Sequence, residues 1–372
     1  MAMLSSVLLR IQPSLKGSRG REGLHLFGPG CQPMQKTVTQ GSPYSRALVW
    51  LVTYRCPLLC THCHSESGRR PSRQLPPEKM QQLVDVLLSM RLRQVTFSGG
   101  EPLTVPGLTG IAERLSKAGV QTILYTSGWG MTEALARRLG EVFHEVHVSL
   151  DGATADVHDK IRGRPGSFVR TLAALELLNQ HASSGMRLDI ECVVVRSNHD
   201  QLERFCTEVA PRFPRLRHLV LGAVAPSGLA TRETFASQEF LTDDEMHALD
   251  DPAVTARLQA LAPPGVAVQT TSNFSLKTGR GCWYIQPDGD VQAMPSYEGA
   301  VGNLLSEPPE LLWSRCQERR GDPFVRSMLD GARTVQEWVE AVRRIDLRFG
   351  SEEDQARIGA RAAHPAPARA SR

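Results

Sequence analysis

From residue 46 to about residue 224 the chain alternates two kinds of block, six times in succession. Short β-branched, apolar runs (RALVWLVTY, QVTFSG, TILYTSG, EVHVSLDG, LDIECVVV, LRHLVLGAV) are separated by amphipathic stretches such as PPEKMQQLVDVLLSM and SFVRTLAALELLNQHA. In the first of these, Met80, Leu83, Val84, Leu87 and Leu88 recur at helical spacing behind two prolines that suit a helix start. Repeated strand-then-helix units demand parallel strands joined by right-handed crossovers. The fold class is therefore α/β, either an open doubly wound sheet or a barrel that need not close.

After Pro226 the pattern changes. Residues 231–265 read as helices and loops, and GCWYIQPDGDVQAMP reads as a hairpin around Pro287-Asp288-Gly289-Asp290. A length of 372 residues accommodates this as a second, smaller α+β region. The expected division is an irregular extension over 1–45, a main domain over 46–230, a smaller domain over 231–350 and a disordered tail over 351–372. The extension carries Arg10, Lys16, Arg19 and Arg21 before its first acid, Glu22, a mix found in organellar transit peptides. The simpler reading is an over-long gene model with Met34 as the working start. Net charge is only +4, with arginines spread along the chain, which does not point to nucleic acid. No apolar run is as long as the ~18 residues of a membrane span.

Three of the eight cysteines, Cys56, Cys60 and Cys63, fall within TYRCPLLCTHCHSES, just after the first strand. Cys31, Cys192, Cys206, Cys282 and Cys316 are scattered, unlike a disulfide framework, so a reducing, cytoplasmic setting is expected. The C-terminal ends of parallel strands are where such sheets bind ligands. Thiolates in that place favour zinc or an iron–sulfur cluster. A zinc ion needs a fourth ligand, for which His62 or His64 is available. On a four-iron cluster, three cysteines leave one iron open to a small molecule.

The C-x3-C-x2-C triplet resembles the signature of the radical S-adenosylmethionine (SAM) superfamily. Gly99-Gly100-Glu101-Pro102 after the second strand is similar to that family's GGEP segment, and Ser149–Gly163 to its SLDG…HD..RG stretch. The resemblance spans residues 46–345 and implies a partial (β/α)6 barrel with Cys56, Cys60 and Cys63 on a [4Fe-4S] cluster. In the family, SAM chelates the open iron and is split to a 5′-deoxyadenosyl radical that takes hydrogen from an unactivated carbon. The GGEP segment then binds the methionine amino group, and glycine suits such close backbone approach. By the same resemblance Ser149 contacts SAM, Arg162 reaches its carboxylate or ribose, His62 lies near the adenine and Val195 packs on that base. Asp151 is either a cofactor contact or the cap of the following helix.

LKTGRGCWYIQPDGDVQAMP resembles the SPASM/twitch region appended to many members of that superfamily. Aligned on Pro-Asp-Gly, its auxiliary-cluster ligand positions fall on Leu276 and Met294, while the framework glycine, Gly279, is kept. Neither residue is a thiolate, so a cluster-free domain that closes the barrel mouth is expected. Without an auxiliary electron acceptor a redox-neutral outcome is favoured, and the enzyme is expected to be of epimerase or lyase type. Epimerisation needs a hydrogen donor; Cys192 and Cys282 are the two thiols singled out, whereas Cys206 shares an apolar helix face.

Strand alternation places His147 and Asp151 on the face of Ser149, and allows only one of Glu191 and Cys192 to point inward. Tyr125, Thr126 and Ser127 end the third strand and are further candidates. The expected substrate is a small polar metabolite (sugar, aminoglycoside or nucleoside) in natural-product tailoring, with flavodoxin or ferredoxin as electron donor and no nucleic-acid or membrane partner. Modification of a ribosomally made peptide is the alternative, and a non-catalytic metal-binding scaffold the third reading.

Overall fold

The computed structural model describes residues 44–361, apart from 279, 280 and 296. The transit-peptide reading, Met34, Cys31, the framework Gly279 and the tail beyond 361 lie outside the described residues. The alternation becomes β1 (Ala47–Thr53), α1 (Pro77–Ser89), β2 (Gln94–Gly99), α2 (Leu108–Lys117), β3 (Gln121–Thr126), α3 (Glu133–Val142) and β4 (Glu145–Ser149). Two helices, α4 (Ala155–Arg162) and α5 (Ser167–His181), lead to β5 (Arg187–Val194). The next crossover is irregular, a three-residue α6 (Leu202–Arg204) running into a π turn and a 3-10 turn before β6 (Leu216–Ala223). Pro211 inside that stretch has no amide hydrogen to sustain an α-helix.

Strands β1 to β6 pair in parallel in chain order. Beyond them come α7 (Glu233–Glu239), α8 (Asp243–Ala248) and α9 (Pro252–Leu261), then β7 (Ala267–Thr271), which pairs in parallel with β6. The expected hairpin is β8 (Trp283–Ile285) and β9 (Asp290–Gln292), extended by β10 (Ala300–Asn303). It does not build a sheet of its own. β8 lies parallel against β1, so one ten-stranded sheet runs β10-β9-β8-β1-β2-β3-β4-β5-β6-β7. An expected boundary at residue 230 therefore cuts a continuous sheet, because β1 still offered a free edge that β8 covers.

The outer face of the sheet and the helices form the main apolar core, including Trp50, Phe97 and Phe205. A separate small cluster of Val49, Leu51, Tyr54, Cys282 and Tyr284 fills one side of the lumen. The remaining helices, α10 (Pro309–Gly321), α11 (Pro323–Gly331), α12 (Val335–Phe349) and α13 (Glu352–Ala360), close the chain. The last corrects an expectation, since residues 351–361 are not a disordered tail. Ser351 and Asp354 form a capping box at the start of α13, and half-buried Arg357 and buried Arg361 pair with Glu66 and Glu298.

Candidate functional site

The cysteine loop starts at a bulge. Leu51 pairs with Ser98 and Thr53 with Gly99, so β1 carries one extra residue where it leaves the sheet. The loop is then fixed by backbone bonds to three other segments. Gly100 and Glu101 donate to the carbonyls of Thr53 and Arg55 at 2.7 and 2.9 Å, Leu59 and Thr61 donate to Arg162 and Ile161, and Leu229 donates to Cys63 at 3.0 Å. Close passage requires glycine at each crossing. A Cβ on Gly100, Gly163 or Gly228 would collide with the carbonyl of Arg55, Leu59 or His64 respectively. The glycines of the GGEP segment thus do something not expected of them: at Gly99 and Gly100 the missing side chains make room for the cysteine loop itself.

Cys56, Cys60 and Cys63, all free thiols, line one cavity of about 160 Å³ at the C-terminal ends of the parallel strands. Gly99, Gly100, His62, Ser149 and Arg162 line it too. Burial raises the thiols of Cys56 and Cys60, the latter to about 11 despite the neighbouring Arg162. Burial also lowers His62 and His64 to about 4, which leaves both imidazoles neutral. Arg162 sits with Nε 2.7 Å from Asp151 Oδ2 and donates from Nη1 toward Cys60 Sγ at 3.9 Å. It is therefore a charged wall beside the middle cysteine.

Asp151 does not cap α4. Its Oδ1 accepts from the amide of Val193 at 2.9 Å, and its other oxygen faces Arg162 and, at 3.5 Å, His62. Glu101 and Pro102 are buried behind the cavity and not on it. Glu101 accepts from Leu103 N, Thr126 Oγ1, Ser127 N and Ser127 Oγ, tying the end of β2 to the end of β3. Burial raises its carboxyl, and these four donors oppose the shift. Val195 is buried in the main core, while Val193 and Val224 supply the apolar lining expected of it.

Neither cysteine singled out as a hydrogen donor lines the cavity, and Cys282 is disulfide-bonded, so it carries no S–H to give; this corrects the expectation that the scattered cysteines are unpaired. Cys192 points into the outer core, where Asn198 Nδ2 approaches its sulfur at 3.6 Å. The alternation that turns it outward turns Glu191 inward. Cys282 is buried in the small lumen cluster, of which Val49 and Tyr284 reach the cavity and Cys282 does not. Sequence reasoning passed over Asn198, whose amide group bonds to Asp151 O, Val193 O and Val195 N and so fixes the end of β5. It also left Glu191 unassigned, although parity alone was enough to find it.

The residues present fit the groups that the resemblance implies. Among the described residues, only Glu145, His147 and Asp189 gather ligand atoms as tightly as one metal ion requires, within 4.8 Å. The three cysteine sulfurs do not all lie within that distance of one another, and three free thiols on one cavity are the donor set of an iron–sulfur cluster with one iron open. Ser98, Ser127, Ser149 and Arg162 with Val193 and Val224 give the mixed lining that a charged amino acid joined to a nucleoside demands.

Residues 50–207 match the Radical SAM superfamily. Mycofactocin maturase MftC of Mycolicibacterium smegmatis is 31% identical over 293 residues, 74% of this chain and 72% of that protein. This chain belongs to the radical SAM superfamily. As a radical SAM enzyme it uses a [4Fe-4S] cluster and S-adenosylmethionine. PqqA peptide cyclase of Ruegeria pomeroyi is 32% identical over 196 residues, 52% of this chain and 51% of that protein. Streptococcus suis SuiB bound to precursor peptide SuiA shares the fold, with a TM-score of 0.59 at 12% identity over 84% of this chain and 76% of that one. A maturase and a peptide cyclase as relatives overturn the expectation of a sugar, aminoglycoside or nucleoside substrate. Among the described residues no helix is long and apolar enough to cross a membrane.

Proposed function

We propose that this radical SAM enzyme modifies a ribosomally made peptide, with Cys56, Cys60 and Cys63 as the cluster ligands. The convergence of three free thiols on one strand-end cavity carries the assignment of the site. The peptide substrate is supported by the peptide cyclase among the relatives. Gly99, Gly100, Ser149 and Arg162 hold the SAM, with Val193 and Val224 against its base. Held there, the cluster and SAM would together supply, with an electron from an external donor such as flavodoxin or ferredoxin, the SAM-derived carbon radical that takes hydrogen from the substrate. The residues around it keep that chemistry dry: Tyr284 and Val49 close one wall, and β8 to β10 brace it from outside.

A lyase-type outcome is favoured over epimerisation, because among the described residues the lining includes no cysteine besides the three cluster ligands. The test is anaerobic reconstitution with SAM, dithionite and peptides encoded beside the gene. We expect 5′-deoxyadenosine, its loss in Cys60→Ala, and a mass change on one such peptide without addition of hydrogen from solvent. 5′-Deoxyadenosine with no mass change on any neighbouring peptide would remove the peptide reading. No 5′-deoxyadenosine at all would leave the metal-binding scaffold.

A further inference from the structure

Below the cavity, the lumen holds a line of titratable side chains that the radical chemistry does not use. Glu191 lines the cavity itself and is 4% exposed. Neither of its carboxylate oxygens has a hydrogen bond of normal geometry, although the Tyr125 hydroxyl stands beside them. Diagonally across on β4, two residues before its register partner Ser149, is His147, fully buried, whose Nδ1 is 3.7 Å from Glu191 Oε2 and has no other partner. The Tyr125 ring stacks on the His147 ring at 4.5 Å and 7°, holding the imidazole edge-on to both sides of the lumen. The other nitrogen, Nε2, faces Glu145 Oε2 at 3.4 Å and Asp189 Oδ2 at 3.6 Å. Asp189 Oδ1 in turn meets His218 Nδ1 at 3.1 Å, and the His218 side chain is 25% exposed near the start of β6. The line thus runs from the cavity to the opposite end of the barrel.

We propose that Glu191 is a proton donor to a carbonyl or carboxylate oxygen of the bound substrate, and that His147, Asp189 and His218 return its proton from solvent. In the step, the Glu191 O–H bond breaks as an O–H bond forms on the substrate. His147 then gives its Nδ1 proton to Glu191 as its Nε2 takes up a proton that the Asp189 carboxylate has accepted from His218 Nδ1 and passes on; Asp189 is left ionised again, and solvent returns the proton to His218. No electron is gained or lost. Gaps of 3.4–3.7 Å are wider than an aligned hydrogen bond, and side-chain movement of about half an ångström closes each. Such a route matters because a mouth shut by cofactor and substrate blocks exchange from above.

The charge pattern agrees with the geometry. Burial pushes the Glu191 carboxyl well up; Asp189 and Asp151 add to the rise, while Tyr125 and Arg162 oppose it. At Asp189 burial also works upward, but His218, His147 and Arg187 outweigh it and hold the carboxyl low. One acid is kept protonated and the next ionised, with an imidazole between them. Arg187 already pairs with both Glu145 and Asp189, so the tight Glu145–His147–Asp189 group is read as an ion network and not as a metal site.

The proposal rests on the cavity being the reaction chamber, and its first test is independent of which peptide is modified. Infrared spectra of the wild-type protein at pH 7 are expected to show a protonated-carboxyl C=O band that shifts in D2O and is missing from Glu191→Gln. In His147→Phe, which keeps a ring against Tyr125, the band persists but its hydrogen–deuterium exchange slows by about tenfold or more. His218→Phe, at the exposed end, gives the same slowing if His147→Phe does not fold. A missing band, or exchange unchanged in the variant that folds, overturns the proposal. So does a stoichiometric non-iron divalent metal retained after chelation, since Glu145, His147 and Asp189 would then be its ligands. With a substrate in hand, Glu191→Gln lowers turnover at pH 7 by about a hundredfold; unaltered turnover overturns the role in catalysis while leaving the peptide reading intact.

Discussion

Arg361 Nε donates to Glu66 Oε1 at 2.9 Å, fastening the end of α13 to the residue three positions after Cys63. Both side chains are almost completely buried, and Arg357 and Glu298 complete the cluster. Removing one partner of a buried ion pair strands the other, which costs about 3–5 kcal/mol. Glu66→Ala is therefore expected to lower the urea midpoint at unchanged slope and to reduce iron uptake on reconstitution. Truncation before residue 352 gives the same two effects. Iron uptake equal to wild type in both would show that α13 does not hold the cysteine loop.

Gly163→Ala tests the close passage of α4 against that loop. Gly163 has φ of +65°, and a Cβ there meets the Leu59 carbonyl, between Cys56 and Cys60. The substitution is expected to destabilise by about 1–3 kcal/mol and to lower cluster content. Gly166→Ala is the control, since it has a similar φ of +80° but open space around its Cβ. It carries the backbone strain without the collision, so cluster content should stay near wild type, as read from iron and sulfide analysis.

Glu101→Gln replaces an acceptor of four hydrogen bonds by a group with only one carbonyl oxygen. At least one of the Thr126, Ser127 and Leu103 donors loses its partner, at about 1–3 kcal/mol. Since Glu101 is buried behind the cavity, the expected signature is weaker SAM binding by calorimetry with normal iron content. Normal SAM affinity would mean that the ends of β2 and β3 stay in place without it.

Two buried groups make opposite contributions to pH dependence. Burial, assisted by Arg162, lowers His158 to about 4 against an ordinary 6.5. Between those values only the unfolded chain takes up the proton, so stability falls as pH drops from 6.5 toward 4, by at most about 1.4 kcal/mol per pH unit. Glu191 is raised, so above about pH 4.3 the unfolded chain ionises first and the folded state is penalised as pH rises. Glu191→Gln should accordingly raise the thermal midpoint at pH 7.5 more than at pH 5. An equal shift at both would mean that Glu191 titrates as an ordinary carboxylate.

Much of this was legible in one dimension. β-branched runs and helical periodicity are local properties, and they placed β1 to β6 and the helices between them. The irregular crossover at 202–212 was misjudged because an apolar helix face says nothing of where proline interrupts the ladder. At the site, residue type and spacing identified Cys56, Cys60 and Cys63, and parity placed Ser149 and His147 on the inner face. The choice of Cys192 and Cys282 failed for want of depth: one points outward, and the other stays buried beside Tyr284 without reaching the cavity.

The sequence by itself determined the chemistry: thiols with one iron left open, after the first of several parallel strands. Covalent spacing and side-chain identity suffice for that. Only the tertiary structure decided where β7 and β8 go, why Gly100 and Gly163 are glycines, and that Glu191, His147, Asp189 and His218 form a line. Those outcomes depend on which backbone passes which, and on charges brought together out of water from strands up to 71 residues apart. No local propensity encodes such encounters.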